Sequence, residues 1–282
     1  MFYGLLSSFF YSMCCVNYKK ALTISKRYIT DSFYQFLAYG CISLFLLATV
    51  LIVERGIARL DIFILWLLFI NSSINVICEY LEQYAYRSEK ISVLTPYHEF
   101  EWVFATILGF TFFANNTLIT FLTSLFAGAV LIIGSTDFKK FKINKYCMAI
   151  MLVGFLTSLR FIVFGYVLLR FSELTSLLFS MLMSFVIIFV VVLFKKEMPM
   201  IEKSPWKLNK FIFAEWLYWT MANLIILYLI KNTGIVQTVL VSMTFMAVSL
   251  GLSYIYFKDI PTKKDIVVTL IISACIVFWV MV

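Results

Sequence analysis

Ten apolar runs of about 20 residues follow one another along the chain. They lie near 2–18, 33–53, 62–86, 91–113 and 117–134, then 146–168, 174–194, 211–230, 234–257 and 264–282. A helix needs about 20 apolar residues to cross the hydrocarbon of a bilayer. The runs are continuous rather than alternating, which sets aside the period-two pattern of a barrel strand. Backbone groups in lipid must be paired internally, so the runs predict spanning helices. The connections are short, the longest near 195–210 with Pro199 and Pro205, and leave no room for a soluble domain. The expected fold is all-α integral membrane, with ten transmembrane helices.

Composition sharpens this picture. Of 282 residues, 63% are hydrophobic and 13% charged, where a soluble domain is roughly half apolar and a quarter charged. The net charge of +8 would point to nucleic acid in a soluble protein. Here Lys and Arg stand between apolar runs, so topology and anionic headgroups account for them, and no nucleic-acid partner is expected. The cysteines at 14, 15, 41, 78, 147 and 275 lie within apolar runs, and no C-x-x-C spacing suggests a metal or redox pair. The N-terminus has neither a basic n-region nor an A-x-A-like site, so the first span reads as its own insertion signal.

The chain repeats itself. Tyr84-Ala-Tyr-Arg87 set over Tyr228-Leu-Ile-Lys231 gives an offset of 144 that runs without a gap to the end of each half. Ile91 then meets Ile235, and Asn115-Asn-Thr117 falls on Asp259-Ile-Pro261. The first spans align through Phe9-Phe-Tyr-Ser12 over Phe155-Leu-Thr-Ser158. Each half, 1–138 and 139–282, holds five spans, an odd number, so the second copy enters the membrane inverted. Inverted repeats recur in transporters because two related halves can rock about a midplane site.

At this point the chain resembles the ten-span drug/metabolite transporter superfamily, of the EamA-like kind. The likeness covers nearly the whole length. It is carried best by Val103-Phe-Ala-Thr-Ile-Leu-Gly-Phe-Thr-Phe-Phe113 and its counterpart Ala247-Val-Ser-Leu-Gly-Leu-Ser-Tyr-Ile-Tyr-Phe257. The family's usual Gly-Glu pair is replaced by Ala114-Asn115 and Lys258-Asp259. The resemblance implies two five-helix repeats, a cavity among spans 1, 3, 4, 6, 8 and 9, and cytoplasmic termini. The basic residues argue the other way: eighteen Lys and Arg lie in odd-numbered connections and four (Arg55, Arg59, Arg170, Lys231) in even ones. The positive-inside rule then puts the odd connections in the cytoplasm, so orientation stays open.

Ionisable groups within spans are expensive and usually functional. They concentrate in the third span (Asn71, Asn75, Glu79, Glu82), the fourth (His98, Glu99, Glu101), the sixth (Arg160), the eighth (Glu215, Asn223) and the ninth (Gln237). The second, fifth, seventh and tenth carry essentially none. His98 and Glu101 share a helix face, while Glu99 and Glu101 point roughly opposite ways. Pro96 removes a backbone donor near them. A cavity-facing carboxylate binding a cation or carrying a proton is one reading, and a solvated span end is the other. Glu215, Tyr218 and Trp219 share a face at i, i+3 and i+4, as an aromatic cage for an organic ammonium would. The alternative puts Trp216 and Trp219 in an interfacial belt. The 144 offset sets Asn71 over Glu215 and Glu79 over Asn223. Arg160 is expected in an ion pair with a neighbouring acid, or else against a substrate carboxylate or phosphate.

No Walker A, H-E-x-x-H or G-x-S-x-G sequence occurs, so no ATP coupling, metal, cofactor or catalytic nucleophile is expected. The expectation is a non-enzymatic secondary transporter in a prokaryotic inner membrane. It would move a small polar, amine-containing metabolite by alternating access, with a proton as candidate coupling ion, working as a monomer with a dimer left open. The candidate binding residues are Asn71, Glu79, His98, Glu99, Glu101, Arg160, Glu215, Tyr218 and Trp219. The alternatives are an exchanger or flippase for an anionic nucleotide-linked or lipid-linked sugar, and a membrane enzyme or assembly subunit.

Overall fold

The apolar runs fold as helices. In this computed structural model the described residues are 2–25, 31–54, 62–88, 97–113, 117–136, 143–195, 206–244 and 263–281, with Leu94 and Val248. They form ten helices and no strand: α1 (Phe2–Ser25), α2 (Asp31–Val53), α3 (Ile62–Ser88), α4 (Phe100–Phe112), α5 (Leu118–Ser135), α6 (Lys145–Leu168), α7 (Glu173–Lys195), α8 (Trp206–Thr233), α9 (Ile235–Ser242) and α10 (Lys263–Met281). Thr95, Pro96, Ala114, Asn115, most of the basic connections and most of the ninth run beyond Thr244 lie outside the described residues.

Among the described residues, five helices are long and apolar enough to cross a membrane, within Ser32–Val53, Ile62–Ala85, Lys145–Leu168, Glu173–Lys195 and Lys210–Thr233. The distribution of polarity is that of a protein in lipid. Leu44, Ile52 and Phe194 are 69%, 77% and 85% exposed, while Gln83, Thr106 and Ser158 are wholly buried. Large apolar side chains outside and hydrogen-bonding groups inside invert the order expected in water.

Local chemistry sets several helix starts. Asn144 Oδ1 accepts from the Tyr146 and Cys147 backbone N–H groups, each at 2.9 Å, and Ser172 Oγ accepts from Thr175 N–H at 3.1 Å, both satisfying otherwise orphaned donors. Between α8 and α9 the chain turns on Gly234 alone, at φ 93°, a conformation that favours glycine.

The expected fourth and ninth spans are not single long helices. α4 covers 13 residues, about 20 Å at 1.5 Å per residue, and Glu99 before it is a turn. α9 closes at Ser242, where Thr244 N–H reaches the Val241 carbonyl at 3.2 Å in a tighter turn. Under the 144 offset Met243 matches Glu99, so both interruptions fall at the same point of the repeat. Each is braced by a serine from another helix. Ser158 Oγ of α6 donates to the Glu101 carbonyl at 3.0 Å, and Ser8 Oγ of α1 pairs with Thr244 Oγ1 at 2.9 Å. Gly154 lets α6 approach α4, since a β-carbon there would lie 3.0 Å from the Glu101 backbone nitrogen.

Helix pairing has a regular pattern. α1 packs on α8 as α3 packs on α6, α4 on α6 as α1 on α9, and α3 on α7 as α2 on α8. Exchanging each helix with the one five places on converts each of these pairs into the other. The pairs α2–α7, α4–α9 and α5–α10 map onto themselves. The α2–α7 pair is tied at both ends. Glu54, just past α2, accepts from the Ser172 and Thr175 hydroxyls at the start of α7. At the other end Lys195 Nζ donates to Ser32 Oγ at 3.2 Å and lies 5.2 Å over the Tyr80 ring.

Candidate functional site

Glu215 of α8 is 7% exposed, and its Oε2 accepts a hydrogen bond from the Tyr34 hydroxyl of α2. Tyr34 is held edge-on between two rings, Tyr18 of α1 at 6.3 Å and Trp216 at 6.4 Å. The aromatic surroundings expected of Glu215 are present, but through other residues. Tyr218 stacks at 6.1 Å on Phe10 of α1, and Trp219 packs half-buried against the apolar core. Trp216 is buried, which removes it from an interfacial belt.

A second group of charges lies where α3, α4 and α6 meet. Arg160 of α6 is 9% exposed and in electrostatic reach of Glu79, Glu82 and Glu101. The expected ion pair is absent: no acid among the described residues comes within 4.0 Å, and Arg160 Nε is buried without a hydrogen-bond partner. The acids surround the guanidinium at a distance and leave its donors for something else. Gln83 of α3, wholly buried, likewise has neither amide atom partnered. Burying polar groups without partners costs free energy, so an unpartnered guanidinium nitrogen in reach of three acids marks a place suited to a guest or to water.

The fourth-span acids divide as their spacing suggests. Glu101, on α4, has Arg160 in reach and His98 Nδ1 at 3.9 Å from its Oε2. Glu99 instead accepts from Trp102 Nε1 at 2.9 Å. Both carboxylates are buried, so neither occupies a solvated span end. Glu79 and Glu82 also lie in electrostatic reach of Glu215, which joins the two groups into one region spanning α2, α3, α4, α6 and α8.

Asn71 faces another neighbour. Its Nδ2 donates to Ser180 Oγ of α7 at 2.7 Å, and Ser72 Oγ donates to the Ser180 carbonyl at 2.8 Å. One turn on, Asn75 Nδ2 donates to Tyr39 OH at 2.7 Å. Asn223 only folds back on the Trp219 carbonyl of its own helix, at 2.9 Å. The second and seventh spans, expected to carry essentially none of the ionisable groups, contribute hydroxyls instead, through Tyr34, Tyr39 and Ser180. Counting only ionisable groups overlooks hydroxyls; Tyr34 and Tyr39 fall on the same buried stripe of α2 as Ala38, Ile42 and Leu46. A shallow apolar groove lined by Trp102, Phe161, Ile226, Ile230 and Val239 has no enclosed room for a water molecule; it meets this region only at Trp102, and it lacks charge to select a polar ligand.

No protein-family model matches the chain, and no curated protein matches it in sequence. Solved structures do share its shape. One crystal structure of a protein superposes on 99% of this chain and 96% of its own, with a TM-score of 0.76 at 12% identity. At that identity the likeness establishes the fold alone.

Proposed function

We propose that this chain is a multi-pass secondary transporter of ten spans, built as two inverted five-helix repeats at 1–138 and 139–282. We place it with the drug/metabolite transporters in a prokaryotic inner membrane. The substrate is a small polar metabolite carrying an amine, moved by alternating access. The observation that carries this reading is the buried region in which Glu79, Glu82 and Glu101 surround an unpaired Arg160. Carboxylates around a guest attract an ammonium group, and ionisable residues within a membrane protein are retained chiefly for binding or relay. The exchange pattern of helix pairs and the matched interruptions before α4 and after α9 support two related halves; discontinuous helices at a repeat interface are where transporters bind substrate.

The test is a thermal-shift screen of the purified protein against amines, amino acids, sugars and nucleotide sugars, followed by flux into proteoliposomes. A ligand at 100 times its Kd stabilises by about 2.7 kcal/mol. An amine that stabilises the wild type but not Glu79→Gln or Glu101→Gln, and that enters liposomes without added partners, is the expected result. Amines without effect, in the screen and in flux, sink the assignment. The free Arg160 Nε supports a second reading, exchange of an anionic, sugar-linked substrate. A response confined to nucleotide sugars and lost in Arg160→Gln would favour it.

A further inference from the structure

Glu215, like Glu99 with Trp102, has a neutral, close partner and no cation, but only the partner of Glu215 is a hydroxyl, able to accept as well as donate, and comes from a distant helix. Its hydrogen-bond donor is the Tyr34 phenol, and Arg160 is not among the groups in electrostatic reach of it. The titratable groups that face the pair are Tyr18 from α1 and Glu79 and Glu82 from α3. α6, α7 and α9, which also pack on α8, bring no described titratable side chain into that reach. We propose that Glu215 carries the coupling proton of the transport cycle, and that Tyr34 is the positioning residue that holds its carboxyl in the closed state. This deepens the transport reading and rests on it.

Three features carry the proposal. First, a phenol hydroxyl can donate to a carboxylate and can accept from a carboxylic acid, so the pair stays hydrogen-bonded through both gain and loss of a proton. An arginine partner would hold only the charged form. Second, an ionised carboxylate buried without a cation costs several kcal/mol. A proton taken from water at one face removes that charge for the closed state and returns to water at the other face. The only bond made and broken is the carboxyl O–H. Third, the bond joins α2 of the first half to α8 of the second, so the relative movement of the halves makes and breaks it. The position matching Glu215 in the other half is Asn71, bonded to Ser180. An amide there has the shape of a protonated carboxyl and stays neutral throughout.

Infrared spectroscopy of the protein in lipid nanodiscs tests the proton without needing a substrate. The expected spectrum contains a deuterium-sensitive carboxylic-acid C=O band that disappears in Glu215→Gln, moves to higher wavenumber in Tyr34→Phe and is untouched in Ser180→Ala. Persistence of the whole acid band in folded Glu215→Gln overturns the proposal. Proteoliposomes loaded with pyranine then report protons moved per [14C]putrescine. That ratio is expected to fall towards zero in Glu215→Gln and below wild type in Tyr34→Phe; a ratio unchanged in both also overturns it. Wild-type protein that leaves putrescine outside counts against putrescine as a transported amine, while the infrared result still decides where the proton resides.

Discussion

Glu215–Tyr34 and Asn71–Ser180 are one hydrogen bond drawn in two chemistries. The offset of 144 sets Asn71 over Glu215, and the register that sets Ser12 over Ser158 sets Tyr34 over Ser180. One bond links α8 to α2 and the other links α3 to α7, pairs that exchange when each helix is swapped with the one five places on. One pairs a carboxyl with a phenol among other acids, and the other pairs an amide with a serine in a neutral α3–α7 seam. The frame is shared, but the charge has been kept on one side. On the proposed transport reading, the contrast separates residues that hold the two repeats together from residues that give the interior its selectivity.

The comparison breaks most severely if charge is put on the neutral side. Asn71→Asp places a carboxylate where only hydroxyls wait, and unpaired buried charge costs about 3–5 kcal/mol. A large drop in thermal stability in detergent, partly recovered at low pH, is expected; unchanged stability would mean that the seam admits water. Next comes Tyr34→Phe, which leaves the buried Glu215 carboxyl without its partner, at a cost of about 1–3 kcal/mol. Differential scanning fluorimetry should show that loss in wild type but much less in a Glu215→Gln background, a coupling that a double-mutant cycle measures. Gly154→Val crowds the Glu101 backbone and should cost about 1–3 kcal/mol, with the equilibrium response to amines falling more than stability alone explains. Smallest is Ser180→Ala, about 1 kcal/mol, with amine binding by calorimetry unaltered. If Ser180→Ala instead weakens amine binding as much as Tyr34→Phe does, the two sides are not functionally distinct.

How much of this was legible beforehand depends on the kind of signal. α2, α3, α6 and α7 were plain because each is a long, predominantly apolar run bounded by polar residues. The fourth and ninth runs were drawn as single helices, because hydropathy averages across the interruptions at Glu99 and Met243. The pairing of Asn71 with Glu215 positions could be read from the repeat register. Tyr34 could not, since tyrosine counts as apolar in a hydropathy window and its partner stands 181 positions away. His98 beside Glu101 follows from i, i+3 spacing and is found so. That Arg160 stands off from every described acid is a property of three-helix geometry that no local spacing encodes.

The ties at the two ends of α2 and α7 constrain how these helices can travel. One end is held by the Glu54 carboxylate against Ser172 and Thr175, the other by the Lys195 ammonium against Ser32. Sliding one helix along the other by a single turn, about 5.4 Å, would rupture both ends at once. Tilting ruptures one and leaves the other as a fulcrum. The pair is therefore stiff to shear and compliant to pivoting, like a plank pinned at each end by a different fastener.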